Sequence, residues 1–214
     1  MPMRIDALIF DIDGTLWDSC EAVCASWRDS LRRRYGCFDP PSVEQVRGVM
    51  GQSPDEIASQ LFSSFGTHAR EVFDALAADE CGFIRAHGAE LYTGACETLR
   101  ALARERRLFI VSNCMPDYID CFLDCSGLGD VISGSLCAGD TGLGKAENIR
   151  KIITDNDISR ALYIGDTRAD ELAARAAPCG FIHAAYGFGR AQSPDAVLER
   201  ISDLEEITAS LERS

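Results

Sequence analysis

The amino-acid sequence predicts an α/β protein in which a parallel sheet is interrupted by a helical insertion. In the second half of the chain, short apolar runs alternate with amphipathic segments of helical period, a pattern typical of right-handed βαβ units. The roughly 75 residues between Trp17 and Tyr92 have helical patterns and no convincing strand. Three apolar runs stop at Asp11, Ser112 and Asp166, and the carboxyl ends of parallel strands share the sheet edge at which ligands bind.

The first half of the chain is predicted to contain one strand followed only by helices. The buried strand is predicted over 5–10, where strand-forming apolar residues are continuous. A helix is predicted over 19–35, with Ser19 as its N-cap. The turn residues Asp39-Pro40-Pro41-Ser42 then break the chain. Further helical segments are predicted at 43–49, 54–65 and 68–87.

The second half is predicted to alternate between strands and helices. The strands are expected at 108–111, within 131–137, at 161–164, at 181–184 and at 196–198, and the helices at 94–106, 116–125, 145–155, 167–177 and 202–211. We therefore expect a core formed by residues 1–16 and 93–214, with residues 17–92 inserted into it as a small helical domain.

Composition excludes several classes of function. The 214 residues carry a net charge of -13, which argues against a nucleic-acid groove and against an anionic membrane surface. No signal-peptide pattern is visible and the apolar runs are too short to cross a bilayer, so we expect a cytoplasmic protein without a membrane partner. The ten cysteines include no Cys-x-x-Cys pair and there are only three histidines, which makes a zinc site a weak hypothesis.

The first candidate site is the pair of carboxylates that ends the first strand. Asp11 and Asp13 are one residue apart, so both side chains project to one side of an extended segment. Two like charges at this distance raise each other's pKa unless a cation neutralises them. Oxygen ligands favour Mg²⁺, and a carboxylate can also act as a nucleophile. The structural alternative is that both aspartates only serve the turn that follows the strand.

Ser112-Asn113 and Lys145 are candidates for binding a phosphate. Ser112-Asn113 follows a predicted strand and precedes a helix, a position suited to phosphate oxygens, although an ordinary turn explains it too. Lys145 is one of only two lysines and opens a predicted helix, where the dipole disfavours a cation. It either binds an anion or is a solvated surface residue. The spacing of Gly139–Lys145 fits a phosphate-binding loop, but Ala146 lacks the hydroxyl such a loop uses for Mg²⁺.

A third acidic motif follows the strand at 161–164. Asp166 comes directly after Gly165 and precedes the next helix, so it is well placed to face a metal. Asp170 lies three residues after Thr167, which is the spacing of a helix capping box. Capping and support of a metal site are compatible roles for Asp170.

Taken in order, these motifs resemble one known family. The motifs are Asp11-x-Asp13-Gly14-Thr15-Leu16, Ser112-Asn113, Lys145 and Gly165-Asp166-x-x-x-Asp170. Together they are similar to the haloacid-dehalogenase-like hydrolase superfamily over nearly the whole chain. The resemblance implies a Rossmann-like parallel sheet core with an inserted small helical cap domain. The branch that looks most similar is the phosphoglycolate phosphatase-like one, through 13–19 and through Tyr186-Gly187-Phe188-Gly189.

The resemblance implies a role for each motif residue and a Mg²⁺ cofactor. It implies that Asp11 is the nucleophile and forms an aspartyl-phosphate, and that Asp13 protonates the leaving alcohol and then deprotonates water. Mg²⁺ would be held by Asp11, by Asp166 and by the main-chain carbonyl of Asp13. The remaining implied roles are phosphate binding by Ser112, Asn113 and Lys145, and support of the metal site by Asp170.

Departures from relatives narrow the expected reaction to a phosphatase. Dehalogenase members of the superfamily lack the second aspartate, whereas Asp13 is present here. Mutases of the β-phosphoglucomutase type carry a histidine in the region that corresponds to 20–23, which has none. A phosphomutase and a non-hydrolytic phospho-acceptor or binding protein remain the alternatives. Lys145 is followed by Ala146 rather than by the proline found in many relatives, which weakens assignment to a substrate subgroup.

The substrate is expected to be a small phosphorylated metabolite, either phosphoglycolate-like or a sugar phosphate. The segment 47–54 contains two glycines and is predicted to be a loop that faces the site. Arg47 and Gln52 in this segment are therefore candidates for contacts to the end of the substrate that carries no phosphate. We expect the protein to be a monomer or a dimer.

Overall fold

The computed structural model describes residues 4–36 and 39–213. These ranges contain eight strands, most of them short. The strands are β1 (Ala7–Phe10), β2 (Trp17–Asp18), β3 (Glu90–Leu91), β4 (Arg107–Ser112), β5 (Ile132–Cys137), β6 (Ala161–Gly165), β7 (Gly180–Ala184) and β8 (Ala196–Leu198).

Ten α-helices and two 3₁₀ helices accompany the strands in the described ranges. The α-helices are α1 (Cys20–Tyr35), α2 (Val43–Val49), α3 (Pro54–Leu61), α4 (Ala69–His87), α5 (Ala95–Leu102), α6 (Tyr118–Ser126), α7 (Ala138–Thr141), α8 (Lys145–Asp155), α9 (Arg168–Ala176) and α10 (Leu204–Arg213), and the 3₁₀ helices are Ser63–His68 and Ile201–Asp203. No helix in the described part of the chain is both long and apolar enough to cross a membrane.

Six strands form one parallel sheet in the order β5-β4-β1-β6-β7-β8. This confirms the predicted α/β fold class. β1 lies in the middle, and Phe10 at its end pairs with Ile110 of β4 and with Ile164 of β6. The residues that follow β1, β4 and β6 therefore emerge at the same edge of the sheet.

The centre of the sheet is buried on both faces, as is typical of a parallel sheet of this class. Alternate side chains of β1 point to opposite faces, and all four residues of the strand are fully buried. On one face, Ala7 and Ile9 belong to a cluster that includes Phe109 of β4 and Ile149 of α8. Leu8 and Phe10, on the other face, are equally inaccessible to solvent, so that face is covered as well.

The chain divides into two compact units, one of Met1–Asp18 with Leu91–Ser214 and the other of Ser19–Glu90. The first contains the six-stranded sheet. The second is helical, and α1 packs against α4 within it. Trp27 of α1 is central to this packing, because its ring contacts those of Phe62 and Phe73 edge-on and its Nε1 donates to Glu80 Oε2 at 2.8 Å.

Several element boundaries differ from those predicted. The two-residue strands β2 and β3 lie in or beside the stretch that was expected to hold no strand. They were not predicted, because an element of two residues is too short to show the alternation of a strand. The predicted helix 94–106 ends at Leu102, where the chain turns into β4. The segment 47–54 is not a continuous loop, since Arg47 belongs to α2 and Pro54 opens α3.

The burial pattern predicts that two identical substitutions have very different effects on stability. Leu99 of α5 is fully buried and Leu172 of α9 is 53% exposed. Leu99→Ala is expected to lower the free energy of unfolding by about 2–5 kcal/mol, because it leaves a cavity in the core. Leu172→Ala is the matched control and is expected to change it by about 0.5 kcal/mol or less. Urea denaturation measures both, and equal losses would contradict the assignment of Leu99 to the core.

Candidate active site

Four charged side chains meet at the carboxyl edge of the sheet. Asp11 follows β1, Asp166 follows β6, Lys145 opens α8 and Asp170 lies in the first turn of α9. Lys145 Nζ lies 3.0 Å from Asp11 Oδ2 and 2.6 Å from Asp170 Oδ1. All four residues are buried. Residues far apart in the sequence thus form one compact ionic cluster.

Lys145 is not a solvated surface residue, which was the structural alternative for this position. Only 6% of its surface is exposed. Burial by itself would lower the pKa of the ammonium, but the carboxylates of Asp11 and Asp170 outweigh burial and raise that pKa well above its ordinary value. The lysine is therefore a permanent positive charge held against Asp11.

The carboxylates of Asp11, Asp166 and Asp170 form a group that can hold a metal ion. One ligand oxygen of each lies within 4.8 Å of the others. Burial raises the pKa of Asp11 to about 7 even though Lys145 opposes the shift, and Asp170 raises it further. Burial also raises the pKa of Asp166 to about 8, with Asp170 and Asp11 contributing. Three carboxyl groups face a single ammonium, so full ionisation of the group requires positive charge beyond that of Lys145.

Two buried oxygens in this group support the fit to a divalent cation. Asp11 Oδ1 and Asp166 Oδ1 are inaccessible to solvent and accept no hydrogen bond. The other oxygen of Asp166, Oδ2, accepts from the backbone N–H groups of Phe188 at 2.7 Å and Gly189 at 3.2 Å. Burying a carboxylate oxygen without a hydrogen-bond donor costs free energy. Coordination of a hard divalent cation by that oxygen removes this cost. The residues present therefore fit Mg²⁺ or a similar ion.

Glycines allow the backbone to pack closely around Asp166. A Cβ on Gly187 would lie 2.2 Å from Gly14 O and 2.4 Å from Asp166 Cβ. Gly14 adopts a φ of 76° and a Cβ there would meet Asp166 Oδ2 at 2.4 Å. Phe188 and Gly189 were not identified from the sequence as residues that hold Asp166. The signal that could have indicated them is the motif Tyr186-Gly187-Phe188-Gly189, which marks the family branch.

Asp13 lies beside this cluster and has hydrogen bonds of its own. Its Oδ1 accepts from Trp17 Nε1 and from the hydroxyl of Tyr118, each at 2.8 Å. Neither Trp17 nor Tyr118 was identified from the sequence as a site residue. Tyr118 begins α6, more than a hundred residues from Asp13, so no local pattern could have paired them.

Ser112 and Asn113 lie at or near the same edge, where Asp170 makes further contacts. Ser112 is the last residue of β4 and is buried, and Asn113 follows it half-buried. Asp170 forms the expected capping box, because its Oδ2 accepts from Thr167 N at 2.9 Å and from Thr167 Oγ1 at 2.6 Å. Its other oxygen accepts from Lys145, so one carboxylate both caps α9 and holds the lysine.

Arg47 and Gln52 belong to the helical unit. Arg47 is half-buried in the last turn of α2. Gln52 lies in the turn between α2 and α3, where its Nε2 donates to Gly48 O at 3.2 Å and its Oε1 accepts from Gln60 Nε2 at 2.6 Å. Its amide keeps a second N–H on Nε2 and a second lone pair on Oε1 for a further contact.

Comparison with known proteins places the chain in a family. Residues 8–184 match the family described as haloacid dehalogenase-like hydrolase. The chain is 29% identical over 225 residues to a phosphoglycolate phosphatase of Photobacterium profundum, with 95% of both chains covered. It is 28% identical over 225 residues to the pyrophosphatase PpaX of Bacillus velezensis, with 96% of this chain and 97% of that protein covered.

The fold is also that of solved structures. A Haemophilus somnus protein predicted to be a phosphoglycolate phosphatase superposes with a TM-score of 0.82 at 21% identity, over 96% of this chain and 99% of the other. At that identity the likeness concerns the fold alone. The family match spans β1 to β7 and includes Asp11, Asp13, Lys145 and Asp166. The resemblance inferred from the motifs is thus confirmed, and this chain belongs to the haloacid dehalogenase-like hydrolase family.

Proposed function

We propose that this hydrolase is a Mg²⁺-dependent phosphatase that acts on a small phosphorylated metabolite through an aspartyl-phosphate on Asp11. The observation that carries the proposal is the buried contact of 3.0 Å between Lys145 Nζ and Asp11 Oδ2. An isolated buried carboxylate would be protonated and a poor nucleophile. A permanent positive charge beside it favours the charged form and also neutralises a phosphoryl group placed between them.

The proposed reaction has two steps. In the first, an Asp11 oxygen attacks phosphorus, the bond to the leaving oxygen breaks, and Asp13 gives that oxygen a proton so that it departs as an alcohol. In the second, Asp13 removes a proton from water, which attacks the phosphoryl group and releases inorganic phosphate. Both carboxylates then return to their starting states. Asp13 acts as acid and base in turn.

The other motif residues bind the phosphate or the metal ion and orient the reacting groups. We assign Ser112, Asn113 and Lys145 to the phosphate oxygens, and Asp170 to holding Lys145 in place. Asp11, Asp166 and the main-chain carbonyl of Asp13 would hold Mg²⁺. The cation, when bound, supplies positive charge that offsets the phosphate and the clustered carboxylates.

The substrate class is proposed from the relatives. The relatives that this chain covers almost completely include a phosphoglycolate phosphatase and a pyrophosphatase, so we favour a small anionic phosphate ester, phosphoglycolate-like or a sugar phosphate. Arg47 and Gln52 are assigned to its other end.

None of the nine described cysteines forms a disulfide, which supports the proposal of a reducing, cytoplasmic location.

Asp11→Asn is expected to abolish turnover with the fold intact, because the amide cannot form the aspartyl-phosphate. Release of inorganic phosphate from a panel that contains phosphoglycolate, sugar phosphates and nucleoside monophosphates, with Mg²⁺ present, measures the effect. Asp120→Asn, at an exposed position of α6, is the matched control and should retain activity.

Three outcomes of this assay would contradict the proposal. Substantial activity of Asp11→Asn would exclude Asp11 as the nucleophile. An isomerised substrate without release of inorganic phosphate would identify a phosphomutase. A stable phosphoprotein without turnover would identify a phospho-acceptor.

Mg²⁺ affinity is expected to increase as the pH rises from about 6 to about 8. The pKa of Asp11 is raised to about 7 and that of Asp166 to about 8, so these carboxyls hold protons at the lower pH. The cation binds their charged forms, and binding therefore releases protons. Calorimetric titration in two buffers of different ionisation enthalpy measures both quantities. EDTA should stop turnover and added Mg²⁺ restore it, whereas an affinity independent of pH would contradict the assigned ligands.

Gln52→Ala is expected to change the order of kcat/KM values across the substrate panel, because it removes the amide assigned to substrate contact. Gln60→Ala is the matched control, since it breaks the same Gln52–Gln60 hydrogen bond but keeps Gln52. Steady-state kinetics on both variants distinguish the two effects. If the order of kcat/KM values is unchanged in Gln52→Ala, or changes in the same way in both variants, Gln52 does not contact the substrate.

A further inference from the structure

Two aromatic side chains donate hydrogen bonds to the same oxygen of Asp13. Trp17 Nε1 and the Tyr118 hydroxyl each lie 2.8 Å from Asp13 Oδ1. Trp17 is fully buried and Tyr118 is 4% exposed. Their rings contact each other edge-on with centroids 5.8 Å apart, and Trp17 contacts Phe122 of α6 in the same way. Both donors are therefore held by packing.

The two donors on Oδ1 favour the other oxygen of Asp13, Oδ2, as the one that carries a proton. An indole N–H is a donor only, so Oδ1 must remain an acceptor for as long as Trp17 points at it. A proton on Oδ1 would take one of its two lone pairs and leave room for only one of the two donors, whereas a proton on Oδ2 lets both hydrogen bonds persist; the geometry therefore favours Oδ2 as the oxygen that carries the proton. Oδ1 accepts both hydrogen bonds whether the group is charged or neutral, so the carboxyl plane does not need to turn when Asp13 changes protonation state.

The local structure delivers both donors to this point. The turn after β1 closes with hydrogen bonds from the N–H groups of Thr15 and Leu16 to Ile12 O, and it places Trp17 four residues beyond Asp13. Tyr118 follows Asp117, whose φ of 70° lies in a region that non-glycine residues adopt rarely. The chain accepts this cost directly before the residue that reaches Asp13.

We propose that Trp17 and Tyr118 are positioning residues that hold Asp13 so that Oδ2 delivers its proton to the leaving oxygen. The inference rests on the proposed function, in which Asp13 is the acid and base. As the Asp11–phosphorus bond forms and the bond to the leaving oxygen breaks, the proton moves from Oδ2 to that oxygen. Proton transfer of this kind depends on distance and angle, so the two donors act on the rate through Asp13.

The test compares substrates that differ in their need for a proton. An alkyl phosphate releases a basic alkoxide and requires the acid, whereas p-nitrophenyl phosphate releases a phenolate that is stable without a proton. Tyr118→Phe removes one hydroxyl and keeps the ring. It is expected to lower kcat/KM for the alkyl phosphate by about tenfold and that for p-nitrophenyl phosphate by less than about twofold. Trp17→Phe is expected to show the same selectivity.

Tyr186→Phe is the matched control. The Tyr186 hydroxyl also donates a hydrogen bond of 2.8 Å to the turn after β1, but its acceptor is the backbone oxygen of Thr15. This variant should lower both rates equally or change neither. Thermal unfolding of all variants identifies any loss of kcat/KM that comes from loss of fold.

The outcomes separate this inference from the proposed function. A Tyr118→Phe variant that folds and loses activity equally on both substrates, or loses none, would overturn the positioning role while Asp11→Asn still abolishes turnover. If Tyr186→Phe shows the same selectivity as Tyr118→Phe, the effect comes from the turn and not from Asp13, which also overturns the role. Full activity of Asp11→Asn would instead reject the proposed function itself.

Discussion

The buried ammonium of Lys145 is the interaction on which the rest of the site depends. It lies between Asp11 and Asp170 at 3.0 and 2.6 Å, so it joins the end of β1 to the first turn of α9. Removing one member of a buried ionic group leaves the others uncompensated, at a cost of about 3–5 kcal/mol. Asp170 must also cap α9 through Thr167. The same contacts thus stabilise the core and set the charge around Asp11.

Asp166 shows how close packing and charge are coupled at this edge. Its Oδ2 accepts from two backbone N–H groups. Gly14 and Gly187 lie so close to the Asp166 side chain that a Cβ at either position would clash with it. Its Oδ1 is left without a donor. The fixed donors on Oδ2 orient the carboxylate so that Oδ1 can bind a cation. The same burial raises the pKa of Asp166.

The hydrogen-bond donors that hold Asp13 differ from those that hold its acidic neighbours. Lys145 contacts Asp11 and Asp170, and backbone N–H groups hold Asp166 Oδ2. Asp13 Oδ1 instead accepts from two aromatic side chains. Those donors keep one geometry in both protonation states. The separation fits the chemistry assigned to each group, because a nucleophile and a metal ligand must stay charged while an acid and base must change charge without moving.

The sequence by itself determined where the six strands of the sheet and nine of the ten described α-helices lie along the chain. It also determined the strand-end positions of Asp11, Ser112 and Asp166, and the family, because all of these depend on local periodicity and on motif order. Whether Lys145 was buried or solvated, which oxygens lacked donors, and the approach of Tyr118 to Asp13 were decided only by the tertiary structure. Those features depend on contacts between residues more than a hundred positions apart, such as Lys145 with Asp11 and Tyr118 with Asp13. No local pattern records such contacts, since strand register and close packing bring the partners together.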